Sequence, residues 1–160
     1  KRGNTIFFMG NGGSAATASH LALDIGNNTV FERKNIREKR FRTIALTDNT
    51  SWIQALANDI SYEYIFTEQL KNFLKRGDVV VAISGSGNSP NVGKAVVFAK
   101  LRGATTVGLL GFDGGKLLKL VSLPILVPVR HYGYLEGVHS EIHHFIVESL
   151  KLLKNGEMKL

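Results

Sequence analysis

Apolar residues along the chain alternate between two patterns. Short runs rich in β-branched and aromatic side chains occupy residues 5–9, 43–47, 79–83, 105–110 and 123–127, and they read as strands. The third, Val79-Val80-Val81-Ala82-Ile83, has no polar interruption, as expected of a strand covered on both faces. Between these runs, apolar positions recur at helical spacing over 15–25, 51–58, 62–76, 116–120 and 136–153, and again at Val92, Ala95, Val96 and Ala99. Ser14 is the expected cap of the first helix, which should stop near Gly26-Asn27-Asn28. Ile65, Gln69 and Phe73 should share one side of the 62–76 helix, with Gly77 ending it. Strands alternating with helices predict an α/β fold with a parallel sheet, as one domain over residues 1–160.

Two of the strand-to-helix connections carry more chemistry than a connector needs. Ser84-Gly85-Ser86-Gly87-Asn88-Ser89-Pro90-Asn91 sets three hydroxyls among two glycines and ends on Ser89-Pro90, a helix cap followed by proline at the first helical position. A helix N-terminus leaves amide N–H groups unpaired and carries partial positive charge, so the stretch reads as a phosphate cradle without a lysine. Neither a Walker loop nor GxGxxG is present, and no nucleotide cofactor is expected. Gly10-Asn11-Gly12-Gly13-Ser14 repeats the design after the first strand. On parallel neighbours the two turns would lie side by side at the carboxyl edge of the sheet.

Composition narrows the setting. Hydrophobic residues make up 44% of the chain and charged residues 21%, which is ordinary for a globular protein. The absence of cysteine removes disulfides, thiol catalysis and thiolate zinc sites, and makes a cytoplasmic location the simplest expectation. Nothing resembles a membrane span, and Lys1-Arg2-Gly3 lacks a signal-peptide core. A start without methionine, almost directly on a strand, suggests upstream sequence. The net charge of +7 invites a nucleic-acid reading, but six basic residues and two acids between Glu32 and Arg42 put +4 of it in one segment. With one aromatic at each end and no stacking platform, that segment reads first as a solvated loop.

Ionisable residues cluster on two helices. His20 and Asp24 stand four apart on the first, and His139 and His143 repeat that spacing on the last, with Glu136 one turn before His139 and His144 adjoining. A helical histidine pair of this kind can hold a metal such as zinc.

Gly10-Asn11-Gly12-Gly13-Ser14-Ala15, Ala57-Asn58-Asp59, Gly77-Asp78-Val79, the Ser84 turn with its flanks and Asp113-Gly114-Gly115 together resemble, in order and spacing, the sugar isomerase (SIS) domain. The resemblance is strongest to the sedoheptulose 7-phosphate (phosphoheptose) isomerases. It implies a three-layer α/β/α sandwich of flavodoxin-like kind around a five-stranded parallel sheet. It also implies a further N-terminal helix, without counterpart in these residues, and a homotetramer with active sites between subunits. By the same resemblance, Ser84, Gly85, Ser86 and Ser89 would bind the substrate phosphate, with Gly85 where threonine is common. Asn11, Gly12 and Ser14 would meet the sugar. Asp59 would lie near the sugar or serve only as a helix-terminal cap.

Aldose–ketose interconversion moves a proton between neighbouring carbons, with a base to remove it and an acid or metal to steady the enediolate. The resemblance implies Asp24 as base, standing where the family has glutamate, with His139 and His143 as catalytic partners. It implies His20, Asp24 and His139 as ligands of zinc where zinc is used. It aligns His139 with a family glutamine or histidine and puts the second family histidine, eight residues on, at Val147. The family also contains a non-catalytic factor that binds the replication initiator DnaA, and the shorter carboxylate at Asp24 keeps that alternative in view.

Overall fold

The uninterrupted apolar run around Val80 becomes the middle strand of the sheet. The structure, a computed structural model, describes residues 3–159; Lys1 and Arg2, part of the start read as lacking a signal-peptide core, and Leu160 lie outside the described residues. The strands are β1 (Thr5–Met9), β2 (Arg42–Ala45), β3 (Val79–Ser84), β4 (Thr105–Gly111) and β5 (Leu123–Val127). The helices are α1 (Gly13–Asn28), α2 (Thr50–Asp59), α3 (Ile65–Phe73), α4 (Pro90–Leu101), α5 (Leu117–Leu120) and α6 (Tyr132–Asn155), with a short 3-10 turn at Tyr62–Tyr64. All strand pairs are parallel, in the order β2-β1-β3-β4-β5. Phe8 of β1 is in register with Val81 of β3, and Ser84 with Leu110 of β4.

Alternation along β1 separates two apolar layers. Phe7 and Met9 face α3 and α4, where Phe66, Leu70, Val92 and Ala95 close the core. Phe8 faces the other way, onto Ala18, Leu21 and Ile25 of α1 and Val147 of α6. The α/β/α layering expected from the sequence therefore stands, with α1 and α6 alone on one face.

Several boundaries move. Helix α1 is longer at both ends than predicted, because Gly12, at φ 55°, starts it and Ser14 lies inside. Gly26 does not stop it: a Cβ there would meet Thr43 Oγ1 at 2.7 Å, so this glycine serves the close approach of β2. Helix α3 ends at Phe73, which is exposed and packs edge-on against Trp52 at 5.6 Å instead of joining Ile65 and Gln69 in the interior. Helix α6 begins four residues early, where His131 Nδ1 accepts from the Tyr134 N–H at 3.4 Å.

Strand order reverses direction between β1 and β3, since the chain runs outward to β2 on one side and to β4 and β5 on the other. A crevice forms at such a switch point, beyond the carboxyl ends of the strands. Both glycine turns open onto it.

Candidate functional site

The Ser84 turn is held by its own side chains. Ser84 Oγ accepts from the Gly87 N–H at 3.1 Å, and Ser86 Oγ accepts from the Asn88 N–H at 3.3 Å. Gly87 has φ 66°, and a Cβ on it would fall 1.9 Å from the carbonyl oxygen of Gly114, so the turn admits no side chain there. The Asp113-Gly114-Gly115 motif is thus a buttress for the turn, bound to it also through Leu117 N–H to Gly87 O at 3.0 Å and Lys116 N–H to Asn88 Oδ1 at 3.1 Å. Ser89 occupies the cap position of α4 with proline next, as predicted, yet its hydroxyl makes no cap bond and lies 3.5 Å from Ser84 Oγ. Asn91 takes over, its Oδ1 accepting from the Val92 N–H at 2.9 Å. The hydroxyls of Ser84 and Ser89 are left beside the N-terminus of α4, where an anion is favoured.

The second turn is locked to the first. Asn11 and Asn91 exchange amide hydrogen bonds of 3.0 and 2.9 Å across the switch point, and the Tyr62 hydroxyl donates to Asn11 Oδ1 at 3.1 Å. A cavity of about 270 Å³ opens over both turns, lined by Asn11, Gly12, Ser14, Ser84, Ser86 and Ser89, with Gly85, Tyr132 and Glu136 completing its wall. Ser14, expected as a cap, lines this cavity instead. Glu136 sits over the start of α1, where a Cβ added to Gly13 would be 2.2 Å from its Oε1. Asp59 stands exposed at the end of α2, accepts from the Asn58 side chain at 2.8 Å, and is not among the residues lining the cavity. A larger groove of about 500 Å³ shares only Ser89 with this cavity and is walled mostly by residues such as Tyr64, Val97, Phe98 and Leu101, so it lacks the cluster of Ser14, Ser84 and Ser86 hydroxyls.

Further along α1 and α6, Asp24 is buried beneath imidazoles. Its Oδ2 lies 2.9 Å from His143 Nε2, 3.3 Å from His20 Nε2 and 3.8 Å from His144 Nδ1. Asn28 donates to its Oδ1 at 2.9 Å. Ring nitrogens of His20, His143 and His144 lie within 4.8 Å of one another. Burial, and then the neighbouring His20, hold the His143 imidazole below its ordinary pKa, against the hydrogen bond to Asp24. Its Nδ1 is buried without a partner. The donor set, three imidazoles and a carboxylate, is of the kind zinc prefers.

His139 does not join this group. It is buried against β4, with Nε2 at 3.4 Å from the Leu110 carbonyl oxygen, and burial lowers its pKa. Of the predicted set of His20, Asp24 and His139, the fold brings His20 and Asp24 together, adds His143 and His144 to them, and leaves His139 apart. A helix repeats every 3.6 residues, so four residues separate a packing position from a functional one only by small rotation, which spacing alone does not reveal. Val147 lies in the apolar layer with Phe8 and Leu21. Counting eight residues from Glu136 instead ends on His144, so that spacing joins one α6 residue at the cavity to one beside Asp24. Nothing in the sequence singles out Tyr132, and Glu136 stands out only by its spacing from His139, because packing of α6 on α1 is what places both at the turns.

Comparisons agree with this architecture. The SIS domain family matches residues 1–111. A phosphoheptose isomerase of Trichlorobacter lovleyi is 39% identical over 94% of this chain and 74% of its own length, and one of Geotalea daltonii is 40% identical over 98% and 79%. Among solved structures, the phosphoheptose isomerase GmhA of Neisseria gonorrhoeae superposes with a TM-score of 0.83 at 31% identity, covering 92% of this chain and 76% of that one. A phosphoheptose isomerase of Francisella tularensis gives a TM-score of 0.85 at 26% identity, covering 93% and 77%. The switch-point cavity, its paired glycine turns and these likenesses together place the chain in the SIS-domain family, among the phosphoheptose isomerases.

Proposed function

We propose that this protein isomerises a sugar phosphate, interconverting ketose and aldose forms of sedoheptulose 7-phosphate or a similar phosphosugar. The observation that carries the reading is the hydroxyl-lined cavity at the N-termini of α1 and α4, with a carboxylate under three imidazoles further along α1. Seven residues separate Gly13 from His20, roughly 10 Å at the helical rise, so a phosphate at one end leaves the reacting carbons of an extended sugar near the other. Ser84, Ser86 and Ser89 bind the phosphate. Asn11 braces the two turns, and Glu136 borders the path of the sugar. Asp24, oriented by His143, removes the proton from the carbon beside the carbonyl and returns it to the neighbouring carbon. His20, Asp24, His143 and His144 would hold a zinc ion, whose contribution is to stabilise negative charge on the enediolate oxygen.

Deuterium from D2O should enter the substrate next to its carbonyl, with or without added zinc, and Asp24→Asn should slow this by roughly 10²- to 10⁴-fold. If wild-type protein leaves the substrate unlabelled under both conditions, the reading falls. The alternative of a DnaA-binding factor is not favoured, since the relatives described above are phosphoheptose isomerases. Leu23, Tyr134 and Phe145 stand exposed on α1 and α6, which supports self-association of the chain.

A further inference from the structure

Gly85 is the one position in Ser84-Gly85-Ser86 without a hydroxyl, and its backbone does not explain it. Gly85 is absent from the glycines with positive φ, so an L side chain is allowed there on conformational grounds. What excludes one is the ring of Tyr132. A Cβ on Gly85 would stand 2.7 Å from Tyr132 Cε1, 3.2 Å from Cδ1 and 3.2 Å from Leu135 Cδ2. The ring therefore fills the volume that a side chain at this position would use. Cε1, bonded to the carbon that bears the hydroxyl, comes nearer than Cδ1, so the ring leans its phenolic end toward the turn. Among the described residues no hydrogen bond from this hydroxyl to the protein is found, although Tyr132 lines the cavity. Phe112 packs edge-on against the ring at 4.9 Å and steadies it. Phe112 is the only non-glycine residue with positive φ among those described, at 53°, a conformation that costs energy and recurs at ligand sites.

We propose that Tyr132 is a phosphate-binding residue of this site, its phenol supplying the donor that Gly85 lacks. The inference rests on the phosphosugar reading above. Gly85 and Tyr132 then form one unit: the glycine makes room, the tyrosine reaches in from α6, and Phe112 holds the ring. A phenol donating to a phosphate oxygen forms a charge-assisted hydrogen bond. It also ties α6, which carries Glu136, His143 and His144, to occupancy of the phosphate cradle.

The test is titration of the full chain with inorganic phosphate by calorimetry, accompanied by KM for the sugar phosphate. Tyr132→Phe keeps the ring and its stacking and should weaken phosphate binding roughly ten- to a hundredfold, with KM rising in parallel. Gly85→Ser should weaken binding when Tyr132 is present, and should cost much less in the Gly85→Ser/Tyr132→Ala double variant, where the serine hydroxyl has the space. Equal phosphate affinity for Tyr132→Phe and wild type overturns the proposal, as does a Gly85→Ser penalty that is the same with and without the tyrosine. A wild-type protein that binds no phosphate overturns the phosphosugar reading itself, and so separates the two.

Discussion

Ser84 shows how one hydroxyl can hold a turn and offer a ligand contact. Its oxygen accepts from Gly87 and lies 3.5 Å from Ser89 Oγ, so with Ser89 as donor of that pair its own proton is available to an anion in the cradle. Ser84→Ala removes that donor and the brace on Gly87 together. We expect KM for the sugar phosphate to rise roughly tenfold or more, the worth of one hydrogen bond to a charged group, with a smaller change in kcat. Steady-state kinetics measures both. Asp24 illustrates the opposite case, a charge buried only because three imidazoles and an asparagine surround it.

At the scale of elements, the site depends on two turns keeping their distance. The reciprocal Asn11–Asn91 amide pair performs this, and Asn91 is 2% exposed, so water cannot substitute for a lost partner. Asn91→Leu should destabilise the protein by about 1–3 kcal/mol in urea denaturation, the cost of leaving a buried polar group unpaired. The basic segment between α1 and β2 is likewise held by one group. Glu38 accepts from the N–H groups of Phe31 and Glu32 at 2.9 and 2.8 Å and pairs with Lys154 at 2.7 Å. The Lys154 hydrogen bond, and then those backbone amides, lower the Glu38 pKa to about 2 from 4.5. A carboxyl whose pKa falls on folding stabilises the fold above its unfolded value. That contribution should be complete above pH 4.5 and fade as pH falls toward 2, and Glu38→Gln should flatten this limb of a pH-dependent thermal melt.

For the whole molecule, the reversal of strand order between β1 and β3 decides where chemistry can occur, because it leaves two helix N-termini open side by side. Helices α1 and α6 then carry the ionisable groups away from that edge on one face of the sheet. Burial there lowers the pKa of His139 and of His143 from the ordinary value of 6.5. The unfolded chain therefore binds protons that the folded chain refuses, and stability should rise with pH through the window just below and up to 6.5. His139→Gln, which keeps a donor for the Leu110 carbonyl, should remove part of that slope. Thermal melts at a series of pH values measure it.

What the amino-acid sequence determined by itself was local. Apolar runs too short and too β-branched for helices marked all five strands, and Gly and Ser at their ends marked both turns, since strand burial and turn chemistry are written within a few consecutive residues. The grouping of Ser84, Ser86 and Ser89 on one turn was legible for the same reason. Only the tertiary structure decided which imidazoles meet Asp24. His139 and His143 have equal claims by spacing, and it is the rotation of α6 against α1 and β4 that sends one to a backbone carbonyl and the other to the carboxylate. Glu136 and Tyr132 reach the cavity by that same packing, across dozens of residues of chain from Gly85 and more than a hundred from Gly13, where no sequence interval records the contact.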